Sequence, residues 1–293
     1  MNSLLTSMRT YLHRAMSTRE GVYLIGYGVL FVAAFSFLYF GTFVDLVSDW
    51  NNNPNFSHGF LVPLIAGYLV WHRKESLKEL SIDPSRLGMV VLVLGLSLFI
   101  VGTIGAELFV MRFSILVTLA GVILFCLGPQ WMKVTAVPVL YLLFMIPLPS
   151  IIWNRIAFPL QLMAASASAS SLSFLGIPVF REGNVLQLAT TTLEVVDACS
   201  GLRSLTSLLA LGAAFAFISN LTLVKKWILF LASIPIAVFV NIVRLTATGL
   251  MAIYIGPEAA HGFLHDMSGI VVFVVAMLML YSVNQILEYA KER

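Results

Sequence analysis

Charge is what this chain has least of. Asp, Glu, Lys and Arg make up 11% of its 293 residues, while 59% are hydrophobic; an ordinary soluble domain carries roughly 25% charged residues. Mean hydropathy is +0.95. So much apolar side chain cannot be hidden in one water-soluble core, because about half of any folded surface faces water. The same figures exclude solvated disorder and collagen-like repeats, and two cysteines are too few for a disulfide scaffold. A net charge of +3 gives the pI of 8.9 no meaning for nucleic-acid binding; the partner implied is the lipid bilayer. No internal repeat and no low-complexity linker is evident. The chain reads as one integral membrane domain, residues 1–293.

What is present is a series of long apolar runs. A membrane helix needs about 20 apolar residues, and on that rule spans fall near 21–47, 57–72, 87–106, 108–127, 134–152, 203–219, 227–253 and 266–287. The first is too long for a signal-peptide core and lacks a small-residue cleavage site, so it is expected to be retained. With the N-terminus inside and eight spans, twelve of the 17 basic residues fall on the inner side; only Arg112, Arg155, Arg181, Arg203 and Arg244 remain outside. That asymmetry is the positive-inside signature.

A further apolar stretch, 158–176, has AASASASS at its middle. Counting it as a ninth span would put Lys225 and Lys226 outside, so it reads as a re-entrant or interfacial helix, its small residues allowing close packing against protein. The β-branched sequence after Gly176 suggests two or three short strands at the outer interface. The expected architecture is an all-α polytopic membrane protein. It has about eight transmembrane helices, cytoplasmic termini (1–20 forming the N-terminal segment), and an outer-face stretch, 153–202, holding a re-entrant helix, a small β-hairpin and a loop.

The two cysteines, Cys126 and Cys199, fall at opposite membrane faces on this topology. A bilayer core of about 30 Å exceeds the roughly 7 Å Cα limit of a disulfide. Cys126 reads as a small buried hydrophobe. Cys199 stands where a strand pattern gives way to a helix, in Asp197-Ala198-Cys199-Ser200-Gly201-Leu202-Arg203. A helix N-terminus lowers a thiol pKa, and the backbone amides of Gly201 and Leu202 could hold an oxyanion. A nucleophile and a structural thiol are both open on these features.

Arg244 sits inside the apolar run PIAVFVNIVRLTATGLM. An Arg at mid-span costs about 2.5–3.5 kcal/mol on insertion scales, so it usually serves a purpose; the alternatives are snorkelling or an ion pair with Asp197, Asp266 or Glu107. Asn241, three residues earlier on the same face, could orient the guanidinium. His261 and His265 open the last span; one could act as general base, or the two could bind metal, although Gly262 stands where zinc peptidases have Glu. His58 could line the same cleft. Arg203, one turn beyond Cys199, competes with Arg244 for a thiolate, whereas Glu182, Glu194 and Glu258 read as solvated loop charges.

Together these motifs resemble the exosortase family, bacterial relatives of the archaeosortases. The resemblance rests on five segments: 56–63 (FSHGFLVP), 181–185 (REGNV), 198–205 (ACSGLRSL), 241–244 (NIVR) and 263–269 (FLHDMSG). It runs from about residue 48 to the C-terminus, and the Cys and NxxR segments are the most specific. Some relatives carry a further domain after the last span; the membrane domain alone is expected here.

The resemblance implies a membrane-embedded cysteine peptidase and transpeptidase at the periplasmic face of the bacterial inner membrane, with no cofactor and no metal. Its substrates would be exported proteins with a C-terminal sorting signal of PEP-CTERM type: a short motif, one membrane helix, a basic cluster. A thioester acyl-enzyme would pass to water or to an acceptor, glycan- or lipid-linked. The family's Cys, Arg and His fall on Cys199, Arg244 and His265, the last chosen over His261 because Asp266 and Gly269 follow it. Arg203, Asn241, His58, His261 and Asp266 would support them, and Arg203 or Arg181 would read an acidic motif. The competing classes are a polysaccharide-linked transporter or flippase, with Arg244 lining its pathway, and a metal-dependent intramembrane protease. A thiol oxidoreductase lacks its C-x-x-C.

Overall fold

The computed structural model describes residues 19–189, 191–195, 201–256 and 263–289; for 19–25, 27, 28 and 263–268 it describes the helical backbone alone. The described residues are mostly helical, and the chain divides into two compact units, Met1–Ser48 and Asp49–Arg293. Helix α1 spans Arg19–Asn52. In its first-unit portion, Phe31, Phe35, Tyr39 and Phe43 recur every four residues and so share one face; Phe35 meets Tyr39 with ring centroids 4.9 Å apart.

The second unit begins with a short 3-10 helix, Pro54–Phe60. Asn53 caps it, its Oδ1 accepting from Asn55 N at 3.0 Å, and Pro54 at the first position supplies a pre-set φ. Helices α2 (Leu61–His72), α3 (Lys74–Lys78), α4 (Arg86–Ile104) and α5 (Leu108–Val122) follow. Then come α6 (Pro129–Tyr141), a 3-10 turn (Leu142–Met145) and α7 (Ser150–Phe174). Strands β1 (Val179–Glu182), β2 (Val185–Leu188) and β3 (Thr192–Glu194) precede α8 (Leu202–Ile218), α9 (Leu223–Tyr254) and α10 (Phe263–Tyr289).

Among the described residues, five helices are long and apolar enough to cross a membrane: the Val29–Asn52 part of α1, α4, α5 with its π-helical extension to Leu127, α9, and the Gly269–Tyr289 part of α10. The pair α6 and α7, bent by 79° between Met145 and Ser150, makes a sixth if it is one broken span. The other two expected spans are helices, but shorter ones. At 12 residues, α2 rises only about 18 Å, and α8 has 17 residues. The apolar run expected as a span at 134–152 ends at residues 146–149, where Pro147 and Pro149 stop a helix.

Glycine sets the closest helix pair. On α4, Gly88, Gly95 and Gly102 recur every seven residues, are all buried, and face Phe125, Thr118 and Met111 of the following segment in antiparallel order. A Cβ on Gly95 would stand 2.6 Å from Thr118 N, and one on Gly102 would stand 2.8 Å from Met111 N. Only a missing side chain lets two backbones come this near, so the helices gain dispersion contact that lipid could not supply. The seven-residue spacing is itself visible in the sequence, but the partner segment is not. Nearby, Arg112 of α5 is 3% exposed, and its Nη2 pairs with Asp49 Oδ2 at 2.6 Å. On sequence alone Arg112 is an outer-end charge; its counter-ion is fixed by the fold.

The small residues of α7 are buried as expected. Ala164, Ala165 and Ser168 face inward, and Ser168 Oγ donates to Ile242 O of α9 at 3.4 Å. The same α7 face, with Leu245 and Ala252 of α9, packs on Leu186, Leu188, Leu193 and Val195. These come from a sheet of three antiparallel strands in the order β1-β2-β3, one strand more than a hairpin. Pairing runs Val179 to Leu188 and Val185 to Glu194, which buries alternate residues of β2 and leaves Glu182 and Glu194 exposed. Cys126 departs from expectation. It lies in the π-helix Ile123–Leu127 and is exposed, just beyond the Leu124–Phe125 backbone on which Gly88 of α4 packs.

Candidate active site

The site is built on α8, α9 and the Pro54–Phe60 helix. Each residue of Asn55-Phe56-Ser57-His58-Gly59 makes a distinct contact. Asn55 Oδ1 accepts from Arg203 Nε at 3.2 Å. Phe56 meets Trp153 edge-on with ring centroids 5.1 Å apart. Ser57 Oγ donates to Pro54 O at 3.0 Å. His58 Nε2 donates to Phe144 O at 3.1 Å, which fixes the tautomer when the ring is neutral. Gly59 is buried beneath the Trp50 indole, where a Cβ would sit 2.5 Å from Cδ1, and Trp50 Nε1 donates in turn to Met145 O at 2.9 Å. This segment therefore joins α2, the end of α6, α7 and α8. The sequence flagged His58 but missed Asn55 and Trp50, whose partners lie 148 and 95 residues away.

Helix α8 starts at Gly201, whose φ of +80° is left-handed, a conformation that glycine adopts without the cost other residues bear. Gly201 O accepts from Leu205 N at 2.8 Å and from Ser204 Oγ at 2.9 Å, so the first turn of α8 is tied down just after the Cys segment. Gly201 also touches α9. A Cβ on it would lie 2.9 Å from Asn241 Cγ, and Asn241 is 2% exposed. Asn241 thus packs on the backbone of Gly201, two residues after Cys199 in the chain.

Arg244, half-buried, opens one turn further along α9. It lines a groove of about 600 Å³ together with His58, Arg203, Ser204, Tyr141 and Gly269. A Cβ on Gly269 would come within 3.9 Å of Arg244 Nη1, so the guanidinium reaches α10 there. His265 stands four residues before Gly269 on the same helix, about 6 Å along its axis. The groove wall is mostly apolar, with Ile65, Ala210 and Met277 below the polar mouth.

The structure thus gathers His58, Arg203 and Arg244 on one cavity and sets Asn241 against Gly201. Arg181 is elsewhere: exposed on β1, it donates from Nη1 to Gly183 O at 2.9 Å within its own turn. Glu107, a candidate partner of Arg244 by sequence, caps α5 by accepting from Phe109 N at 3.4 Å. Cys199, Asp197, Glu258 and His261 lie outside the described residues, and His265 and Asp266 are described as helical backbone alone. Among the described residues, no three His, Cys, Asp or Glu side chains converge as a metal cluster.

A chain of apolar helices with half-buried arginines around a shared groove defines a polytopic membrane protein with a polar centre. The model of the transmembrane exosortase family matches residues 50–282, about four-fifths of the chain, starting one residue inside the second unit. The chain belongs to the exosortase family. No curated protein and no solved structure matches it.

Proposed function

We propose that this exosortase is a cysteine transpeptidase that removes the C-terminal sorting signal of exported proteins at the periplasmic face of the inner membrane. In this reading the whole chain is one membrane domain of eight membrane-embedded helical segments with both termini cytoplasmic; residues 153–202 form the outer-face stretch, and α2, α8 and the bent α6–α7 pair contribute the segments shorter than a full span. The observation that carries it is the position of Arg244: in one groove with Arg203 and His58, one turn from the Asn241 that packs on Gly201, and reaching Gly269 one turn beyond His265. The start of α8, the middle of α9 and the first part of α10, distant in sequence, come together around Arg244 and Asn241, which supports this reading.

The Cys199 thiolate attacks the carbonyl carbon of the scissile peptide. The resulting oxyanion is stabilised by the Arg244 guanidinium and by the backbone N–H groups of Gly201 and Leu202 at the start of α8. Collapse breaks the C–N bond, His265 gives its proton to the departing amine, and an acyl thioester stays on Cys199. His265 then takes a proton from the acceptor nucleophile, glycan- or lipid-linked, or from water, as that nucleophile attacks the thioester and frees the thiolate. Asn241 positions the Cys199 loop through Gly201. Arg203, held by Asn55, offers its charge to the acidic residue of the sorting motif, and the apolar wall of the groove receives the substrate helix.

The test is a tagged substrate carrying a sorting signal, followed by mass spectrometry of its new C-terminus. Cys199→Ala and Cys199→Ser are both expected to abolish cleavage. Cleavage that survives Cys199→Ala removes the nucleophile from this scheme.

A further inference from the structure

A second crevice, of about 430 Å³, lies toward the other end of the same helices and plays no part in the chemistry above. Two cations line it, Arg73, just after α2, and Lys226, in the first turn of α9, together with the apolar side chains of Val137, Leu140, Leu223 and Trp227. The Arg73 guanidinium lies over the Phe217 ring, 4.9 Å from its centroid, and Lys226 Nζ donates to Phe217 O at 3.4 Å. Lys226 and Arg244 are about five turns, or about 27 Å, apart on α9, close to the thickness of a bilayer core. The cationic mouth of the crevice and Arg244 therefore sit at opposite ends of α9, while the crevice approaches the candidate active site at Tyr141, which lines both, and at Phe144, whose carbonyl accepts from His58.

Two features identify an occupant. The residues lining the crevice include two cations and no carboxylate, so like charges share a low-dielectric mouth where their repulsion is poorly screened. An anion relieves that. The rest of the wall is mostly apolar and aromatic, which a free anion would leave unused and an acyl chain would fill. The level is that of a membrane interface, since Tyr68, Trp71 and Trp227 are each about half exposed at this end, as in the aromatic belt of membrane proteins, and Lys74 Nζ lies over Trp71 4.4 Å from the ring centroid.

We propose that this crevice is a binding site for an anionic phospholipid, its phosphate held between Arg73 and Lys226 and the upper part of one acyl chain lying against Val137, Leu140 and Trp227. Such a lipid would bridge α2, α6, α8 and α9 at the end of α9 remote from Arg244. Basic pockets between membrane helices bind anionic headgroups by this combination of charge and apolar contact.

The experiment is native mass spectrometry of the full chain, released from nanodiscs containing equal amounts of phosphatidylglycerol and phosphatidylcholine. The wild type is expected to retain phosphatidylglycerol with a preference of about thirtyfold, the value for two interfacial cations. Arg73→Gln with Lys226→Gln brings the preference close to parity. Lys74→Gln with Lys78→Gln, which removes equal charge from the neighbouring surface, leaves it intact. Arg73→Lys with Lys226→Arg, which keeps both charges, also retains it and guards against loss through misfolding. Val137→Trp, which fills the crevice and keeps the charges, lowers lipid retention. Equal retention of the two lipids by the wild type, an unchanged preference in the Arg73→Gln/Lys226→Gln protein, or displacement of the lipid by inorganic phosphate overturns the proposal.

Discussion

Gly201 and Asn241 touch: a methyl group on the glycine would stand 2.9 Å from the side-chain Cγ of the asparagine. The contact joins the start of α8 to the middle of α9, and it does so two residues from Cys199. Because Gly201 has a φ of +80°, its backbone would resist a side chain even without a neighbour.

Gly201→Ala is therefore expected to destabilise the protein by about 1–2 kcal/mol from the left-handed backbone alone, with the Asn241 clash added. Asn241→Ala should restore part of that loss when combined with it, because the shortened side chain makes room. Thermal unfolding of the two single variants and the double variant measures the coupling; strictly additive effects would show that the two residues do not press on one another.

Arg244→Gln is expected to slow cleavage by about 10²–10³, the usual effect of losing one oxyanion donor. Arg244→Lys keeps the charge and loses the planar fork, so an intermediate rate marks a role for the fork itself. Single-turnover rates with a reporter substrate separate these outcomes. A variant with lowered substrate affinity and an unchanged chemical step would assign Arg244 to binding.

Asp49→Asn leaves the Arg112 guanidinium, 3% exposed, without its counter-charge. Removing one member of a fully buried pair costs about 3–5 kcal/mol; the loss here should be smaller, since the Asp49 side chain is 41% exposed. Replacing both, as Asp49→Leu with Arg112→Met, should recover most of it. Denaturant or thermal unfolding in detergent gives the comparison, and equal losses in the single and double variants would show that the pairing contributes nothing.

Gly95→Ala should lower Tm by several degrees, since the added methyl meets Thr118 backbone at 2.6 Å and must push α4 from α5. Gly67→Ala is the control. Nothing lies within 4 Å of a Cβ at that position, so the higher helix propensity of alanine leaves stability unchanged or raised. Matched Tm values for the two variants would show that the close approach of α4 and α5 is not what holds that pair together.

The membrane class, most of the helical segments and the unusual polar residues were legible in the sequence because lipid is an unforgiving solvent. A span must be apolar over its whole length, and an ionisable group inside it is costly, so composition alone exposes both. That is why Arg244 stood out, and why the small residues at 164–168 were read as a packing face. The short strands were visible for a related reason: the β-branched runs after Gly176 alternate as a half-buried sheet requires, although the third strand's pairing depends on the chain folding back through Val195 N to Asn184 O.

Partner choice was decided only in three dimensions. Nothing near Arg112 marks Asp49 as its counter-ion, nothing near Arg203 marks Asn55, and the need for glycine at 59 comes from the Trp50 indole. Hydrophobic periodicity is a local property that says which face of a helix is apolar; which other helix meets that face, and at what height, depends on shape complementarity between segments far apart in the chain. The sequence by itself therefore determined that this protein lives in a bilayer and which residues are out of place there, while the tertiary structure decided which of those residues meet, because in an apolar solvent close packing and a few polar contacts select the neighbours.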